Sequence, residues 1–167
     1  MPMTRPRLIW QRALVVLAIV IGFGGWAMSD EKVDIEALGP DGLPGIFWLI
    51  KQEDMAGMAD WIEAGGDIEA RGYHGASPAL AAAVVENWPA VHWLLENGAR
   101  VQVADGRGYT LAFLAARSRV DPEGRYGKAL ADVRSILAGR GLLEEIYQPA
   151  AVKRMRADGT WPPAEYR

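Results

Sequence analysis

The stretch that decides the fold is Gly75-Ala76-Ser77-Pro78-Ala79-Leu80-Ala81-Ala82-Ala83, followed by Val91-His92-Trp93-Leu94-Leu95-Glu96-Asn97-Gly98-Ala99. It predicts a turn, a short Ala-rich helix, a second amphipathic helix and a glycine stop. Ser77 offers a hydroxyl N-cap, and Pro78 suits the first helical turn. Small alanines let that helix lie close to its neighbours. Asn87 is the expected N-cap of the second helix, with Trp88 and Pro89 in its first turn. Val91, Leu94 and Leu95 then form the i, i+3, i+4 stripe that buries.

The pattern recurs on both sides. Gly42, Gly75 and Gly108 are spaced by 33 residues, as are Gly65 and Gly98, and Ser77 and Thr110. A fixed period in this range predicts stacked helical repeats. Upstream, Gly39-Pro40-Asp41-Gly42 is turn chemistry, since Pro presets φ and Gly supplies positive φ. A helix over about 44–52 and a second over about 55–63 follow, stopped by Gly65-Gly66. Downstream, Leu111 to Ala116 predicts the first helix of a third unit. Residues 117–128 intervene before Ala129 to Leu137 restores an apolar stripe. Aligning Leu94-Leu95 with Ile136-Leu137 gives this unit about nine extra residues. That insertion reads either as a solvated loop or as part of a binding rim.

Composition narrows the class. The 167 residues hold no cysteine, which removes disulfides, thiolate zinc sites and a cysteine nucleophile. Arg5, Arg7 and Arg12 precede an uncharged run over 13–28, and Asp30 and Glu31 follow it. Such a segment predicts a secretory signal peptide cut after Ser29, or an N-terminal anchor spanning residues 8–28. Its charge asymmetry keeps the arginine end cytoplasmic and exports the body. From residue 30 onward there are 15 basic and 21 acidic residues. That mildly acidic body argues against a nucleic-acid partner, which needs a basic face.

Several motifs in one register resemble the ankyrin repeat family. Ser77-Pro78-Ala79-Leu80-Ala81-Ala82 stands in for the family's Thr-Pro-Leu-His-x-Ala opening. Leu94-Leu95-Glu96-Asn97-Gly98-Ala99 matches its closing Leu-Leu-x-x-Gly-Ala. Asp105-Gly106-Arg107-Gly108-Tyr109-Thr110 matches the β-turn finger, and Gly65-Gly66-Asp67-Ile68-Glu69-Ala70 the tail of a first repeat. Leu80, Phe113 and Phe47 occupy the place of the family's structural histidine. The resemblance covers about residues 39–143. It implies an all-α ankyrin-repeat solenoid of about three helix-pair repeats with β-turn fingers, after an N-terminal hydrophobic signal or anchor helix.

The expected organisation is a signal peptide or membrane anchor over 1–29 and a linker over 30–41. A repeat domain over 42–147 has units of about 42–74, 75–107 and 108–143. A C-terminal capping helix and Pro-containing tail fill 148–167. At the end of the repeat domain Leu142 to Tyr147 reads as a short capping helix, and in the C-terminal segment Ala150 to Ala157 reads as another. The tail reads better as a cover for the last unit than as a docking peptide, because a terminal repeat needs one.

No constellation for catalysis, cofactor or metal binding is evident. His74 and His92 show no ligand spacing, and the glycines are explained by turns and caps. Glu63 with Asp67, and Glu144 with Glu145, read as solvated charges. The expected chemistry is recognition of one partner protein. In the ankyrin family the fingers and first helices line a concave face. The matching positions are Tyr73, His74 and Ala76 in the finger entering the central unit, and Gly106, Arg107 and Tyr109 in the finger leaving it. On the first helices they are Val84, Val85, Arg117 and Ser118. Aromatics and Arg are enriched among residues that dominate interfaces. Trp88 and Trp93 read as packing residues. The function expected from the resemblance is a non-catalytic binding module in a bacterial periplasm, held at the inner membrane or released. An immunity protein against a periplasm-acting toxin, and an accessory factor for an oxidative-stress enzyme such as catalase, are two versions. A structural envelope protein is another class.

Overall fold

A computed structural model describes residues 33–163. The expected signal or anchor over 1–29 lies outside the described residues. Among those described, the secondary structure is all α: seven α-helices, one 3-10 turn and two isolated β-bridges. No helix among them is long and apolar enough to cross a membrane.

The helices come in pairs. α1 (Gly45–Gln52) packs on α2 (Met55–Glu63), α3 (Pro78–Val84) on α4 (Trp88–Glu96), and α5 (Leu111–Arg117) on α6 (Arg125–Gly139). α3 lies between α1 and α5, and α4 packs on α6. α7 (Pro149–Ala157) completes the chain.

The local chemistry explains the boundaries. Ser77, Asn87 and Thr110 each accept a hydrogen bond from the backbone N–H three residues on, at 3.4, 3.2 and 3.1 Å. Asp54 caps α2 in the same way through Gly57 N–H. Between α1 and α2 the chain reverses at Glu53, and between α3 and α4 at Glu86, with φ of 56° and 59°. Each takes the left-handed conformation that an L-residue adopts only at a cost. Apolar faces meet between the layers: Ile46, Ile50, Met58, Leu80, Trp88, Val91, Leu94, Leu111, Val133 and Leu137 are all buried.

A tight turn precedes the first helix of each pair, the odd helices α1, α3 and α5. Gly39 N–H bonds to the Leu43 carbonyl at 2.7 Å, Gly72 to Ala76 at 2.9 Å, and Asp105 to Tyr109 at 3.1 Å. The positive-φ glycine of each is Gly42, Gly75 and Gly108. The turn at 39–43 therefore belongs with α1, although its first three residues fall within the stretch expected to be linker.

Three differences from expectation concern the third pair and the tail. α6 starts at Arg125, not Ala129, so part of the expected insertion is helix. The loop left over is tied down. Ser118 donates to the Glu86 carboxylate, and Arg125 and Tyr126 both donate to Glu53. The register also moves by one. Gly66, Ala99 and Leu142 N–H groups bond to the carbonyls of Trp61, Leu94 and Leu137. Leu137, not Ile136, is thus the partner of Leu94, which makes the spacing 43 residues and the surplus ten. Leu94 and Leu137 are fully buried whereas Ile136 is half-buried, which is why this register wins. Finally, residues 142–147 run as turn, bend and irregular chain rather than a helix. α7 and the tail lie against the third pair: Val152 is fully buried, and Trp161 meets Tyr147 edge-on at 6.1 Å.

Candidate functional site

Turns and odd helices together form one face. Equivalent positions on it can be read by the 33-residue spacing: Leu43, Ala76 and Tyr109; Phe47, Leu80 and Phe113; Lys51, Val84 and Arg117. In the first and third rows the central member is small. Beside Ala76 and Val84 lies a groove of about 300 Å³, lined by α1, α3 and the turns that precede α1, α3 and α5. Its floor is Phe47, Ile50, Ala76 and Ala81, and its rim carries Lys51, Tyr73, His74 and Arg107. Val84 and Val85 line it while 39% and 58% exposed, and Tyr73 is 59% exposed. Water-facing valines beside a concave apolar floor are the unusual feature, because scattered surface apolar groups rarely line a cleft.

Of the ten expected site residues, the groove gathers six: Tyr73, His74, Ala76, Val84, Val85 and Arg107. Ala76 is buried, so it shapes the floor and offers little area. Tyr109 and Arg117 lie on the adjoining surface of α5 and its turn. The Tyr109 ring stacks on Phe113 at 5.6 Å, Arg107 sits 4.7 Å over Tyr109, and Arg117 sits 5.5 Å over Phe113. These contacts hold cationic heads over aromatic faces.

The other two have structural partners. Gly106 N–H is spent on the His74 carbonyl at 2.7 Å. The Ser118 hydroxyl is bound to Glu86 and receives the Trp88 indole N–H at 3.0 Å, beyond the C-terminal end of α3 rather than in the groove. Tyr73 has a double part, since its hydroxyl donates to the Asp41 carbonyl at 3.2 Å while the ring faces outward.

The sequence reading missed Leu43, Phe47, Ile50 and Lys51, which form the groove's near wall. Stepping back by 33 from Ala76, Leu80 and Val84 reaches Leu43, Phe47 and Lys51, so the signal was present in the period. Lys51 pairs with Asp41 and so holds the Asp41 carboxyl below its ordinary value of 3.8. Arg107 pairs with Asp105 at 2.8 Å, and Asp105 also accepts the N–H groups of Arg107 and Tyr109. Trp88 is buried, as expected for a packing residue, and its indole also donates to Glu86 at 2.8 Å.

The two histidines sit on different elements. His74 adopts φ 57° in its turn, and His92 lies on α4 facing Glu96 at 3.5 Å. Among the described residues no group of three His, Asp or Glu side chains is placed to hold a metal ion. Against known proteins, the chain matches no family model and no curated protein.

Proposed function

We propose that this chain is a non-catalytic protein-binding module of the ankyrin-repeat type, with three helix-pair repeats. It takes one partner protein on the face made by its fingers and first helices. The observation that carries this reading is the groove between α1 and α3, where exposed Val84 and Val85 stand over an apolar floor. The repeat assignment is supported by turns, caps and left-handed reversals that recur at 33-residue steps. Exposed apolar surface rimmed by polar side chains is a mark of protein-interaction sites. The N-terminal charge and hydropathy pattern supports a periplasmic setting for this activity, at the inner membrane or released from it.

Site-specific photo-crosslinking in the cell of origin tests the reading. A crosslinker at Val84 or Val85 is expected to trap one stoichiometric protein, and one at Lys153 on α7 is expected to trap none. No trapped band, or the same bands from both places, would overturn the binding face. Adding Tyr73→Ala and Tyr109→Ala together is expected to weaken capture while leaving the helical circular dichroism unchanged.

A further inference from the structure

The groove has a charge pattern as well as a shape. One row of equivalent positions on the odd helices reads Lys51, Val84, Arg117. The middle member is apolar and exposed, and the outer two are cations. Both cationic heads are steered by rings, Lys51 lying 5.9 Å over Trp48 and Arg117 lying 5.5 Å over Phe113.

Their counter-charges are sunk or missing. The Asp41 side chain that pairs with Lys51 is 15% exposed, whereas Lys51 is 44% exposed. The Asp105 side chain that pairs with Arg107 is 1% exposed, whereas Arg107 is 36% exposed. Arg117 has no carboxylate partner among the described residues. Among the described residues no Asp or Glu lines the groove. An approaching molecule therefore meets Lys51 and Arg107 on the rim of an apolar floor, with Arg117 on the adjoining surface of α5. The rest of the body carries an excess of acid.

We propose that the groove takes a segment of the partner protein in which one apolar side chain is flanked on both sides by carboxylates. The inference rests on reading this face as a protein-binding surface. The apolar residue would enter beside Val84, and the carboxylates would meet Lys51 and Arg117. Packed helices lie about 8–10 Å apart, so these two positions are roughly 16–20 Å apart across three helices. In an extended segment rising about 3.3 Å per residue, the two acids stand about five or six residues apart. Rim charges of this kind set which partner is accepted more than how tightly it is held.

The test is selection of a random 15-residue peptide display library on the full-length chain in neutral detergent, followed by fluorescence anisotropy of the recovered peptides. The expected peptides carry an apolar residue between two acidic ones. Their affinity falls about tenfold with Lys51→Ser plus Arg117→Ser, and falls similarly when glutamine replaces glutamate in the peptide. The peptide change leaves the protein untouched, so it decides the matter even if the double variant folds poorly. Peptides that lose binding with Val84→Asp but show no acidic preference overturn the charge assignment and leave the binding face standing. Recovery of no peptide, or of peptides indifferent to Val84→Asp, overturns both.

Discussion

The two ends of the odd-numbered helices are joined to their neighbours by different chemistry. At the N-terminal end, successive turns are linked through backbone carbonyls. Tyr73 donates to the Asp41 carbonyl, Gly106 N–H to His74, and Arg156 to Asp105 and Ala104. At the C-terminal end the links run through two carboxylates. Glu86 gathers Trp88 and Ser118, and Glu53 gathers Arg125 and Tyr126. Main-chain acceptors survive almost any substitution of their own side chains. Carboxylate acceptors do not, and they respond to salt and acid. The turn side of the groove, with Tyr73, His74 and Arg107, is thus built on the less perturbable links, while Lys51, Val84 and Val85 lie toward the carboxylate end.

The largest break in this comparison comes from the carboxylate end. Trp88 is fully buried and supplies the indole N–H that Glu86 and Ser118 share. Trp88→Ala is expected to cost about 3–5 kcal/mol, read as a loss of unfolding free energy in urea. A cost below about 1 kcal/mol would mean that this end is not built around the indole.

Two glycines test the turn end. Gly75 and Gly108 share positive φ, 69° and 86°. A Cβ on Gly75 meets open space, whereas one on Gly108 would lie 2.2 Å from the Pro149 carbonyl oxygen. Gly75→Ala is expected to cost about 1–2 kcal/mol for the left-handed backbone alone. Gly108→Ala is expected to cost roughly 1–3 kcal/mol more, because α7 must move. Equal shifts in thermal midpoint would show that α7 is not seated on this turn.

Next come the two glutamates. Glu86→Ala leaves the buried indole with only the Ser118 hydroxyl, for a loss of about 1–2 kcal/mol. Glu53→Ala removes an exposed pair, for about 0–1 kcal/mol that fades with added salt. Denaturation of both variants at low and high salt checks the order. A larger loss for Glu53 would make the strap from Arg125 the stronger of the two links.

The smallest effect is acid sensitivity at the turn end. Lys51, by its hydrogen bond first, lowers the Asp41 pKa in the folded chain relative to the unfolded one. A depressed carboxyl stabilises the fold above the unfolded value near 3.8 and loses that contribution as pH falls through the folded value. Asp41→Asn is therefore expected to flatten the acid limb of the stability curve slightly, with no change at neutral pH beyond the lost pair. An unchanged acid limb would show the pair to be inert.

What was legible in the sequence was the local chemistry. Ser77 and Asn87 cap the helices they were expected to cap, Thr110 does the same 33 residues on from Ser77, and glycines 42, 65, 75, 98 and 108 have positive φ where turns and stops were read. The start of α6 was not legible. Arg125, Tyr126, Gly127 and Lys128 show no apolar stripe, and that first turn is held by Glu53 from 72 and 73 residues away. Gly127 is required there because a Cβ would fall 2.1 Å from the Asp121 carbonyl oxygen. Such contacts leave no periodic trace. The site divides the same way. Finger residues were found from their turns, but Phe47 and Lys51 were not, because the first unit lacks the Ser-Pro opening that marks the central one.

The bond from Arg156 to the third turn has a consequence for assembly. Each earlier turn hands a carbonyl to the next. Here the guanidinium occupies the Ala104 and Asp105 carbonyls, much as an end-group terminates a growing polymer. Two copies cannot continue the row by docking head to tail at this end without first displacing α7. The same segment that lies at the end of the third pair thus covers the carbonyls that a further turn would use.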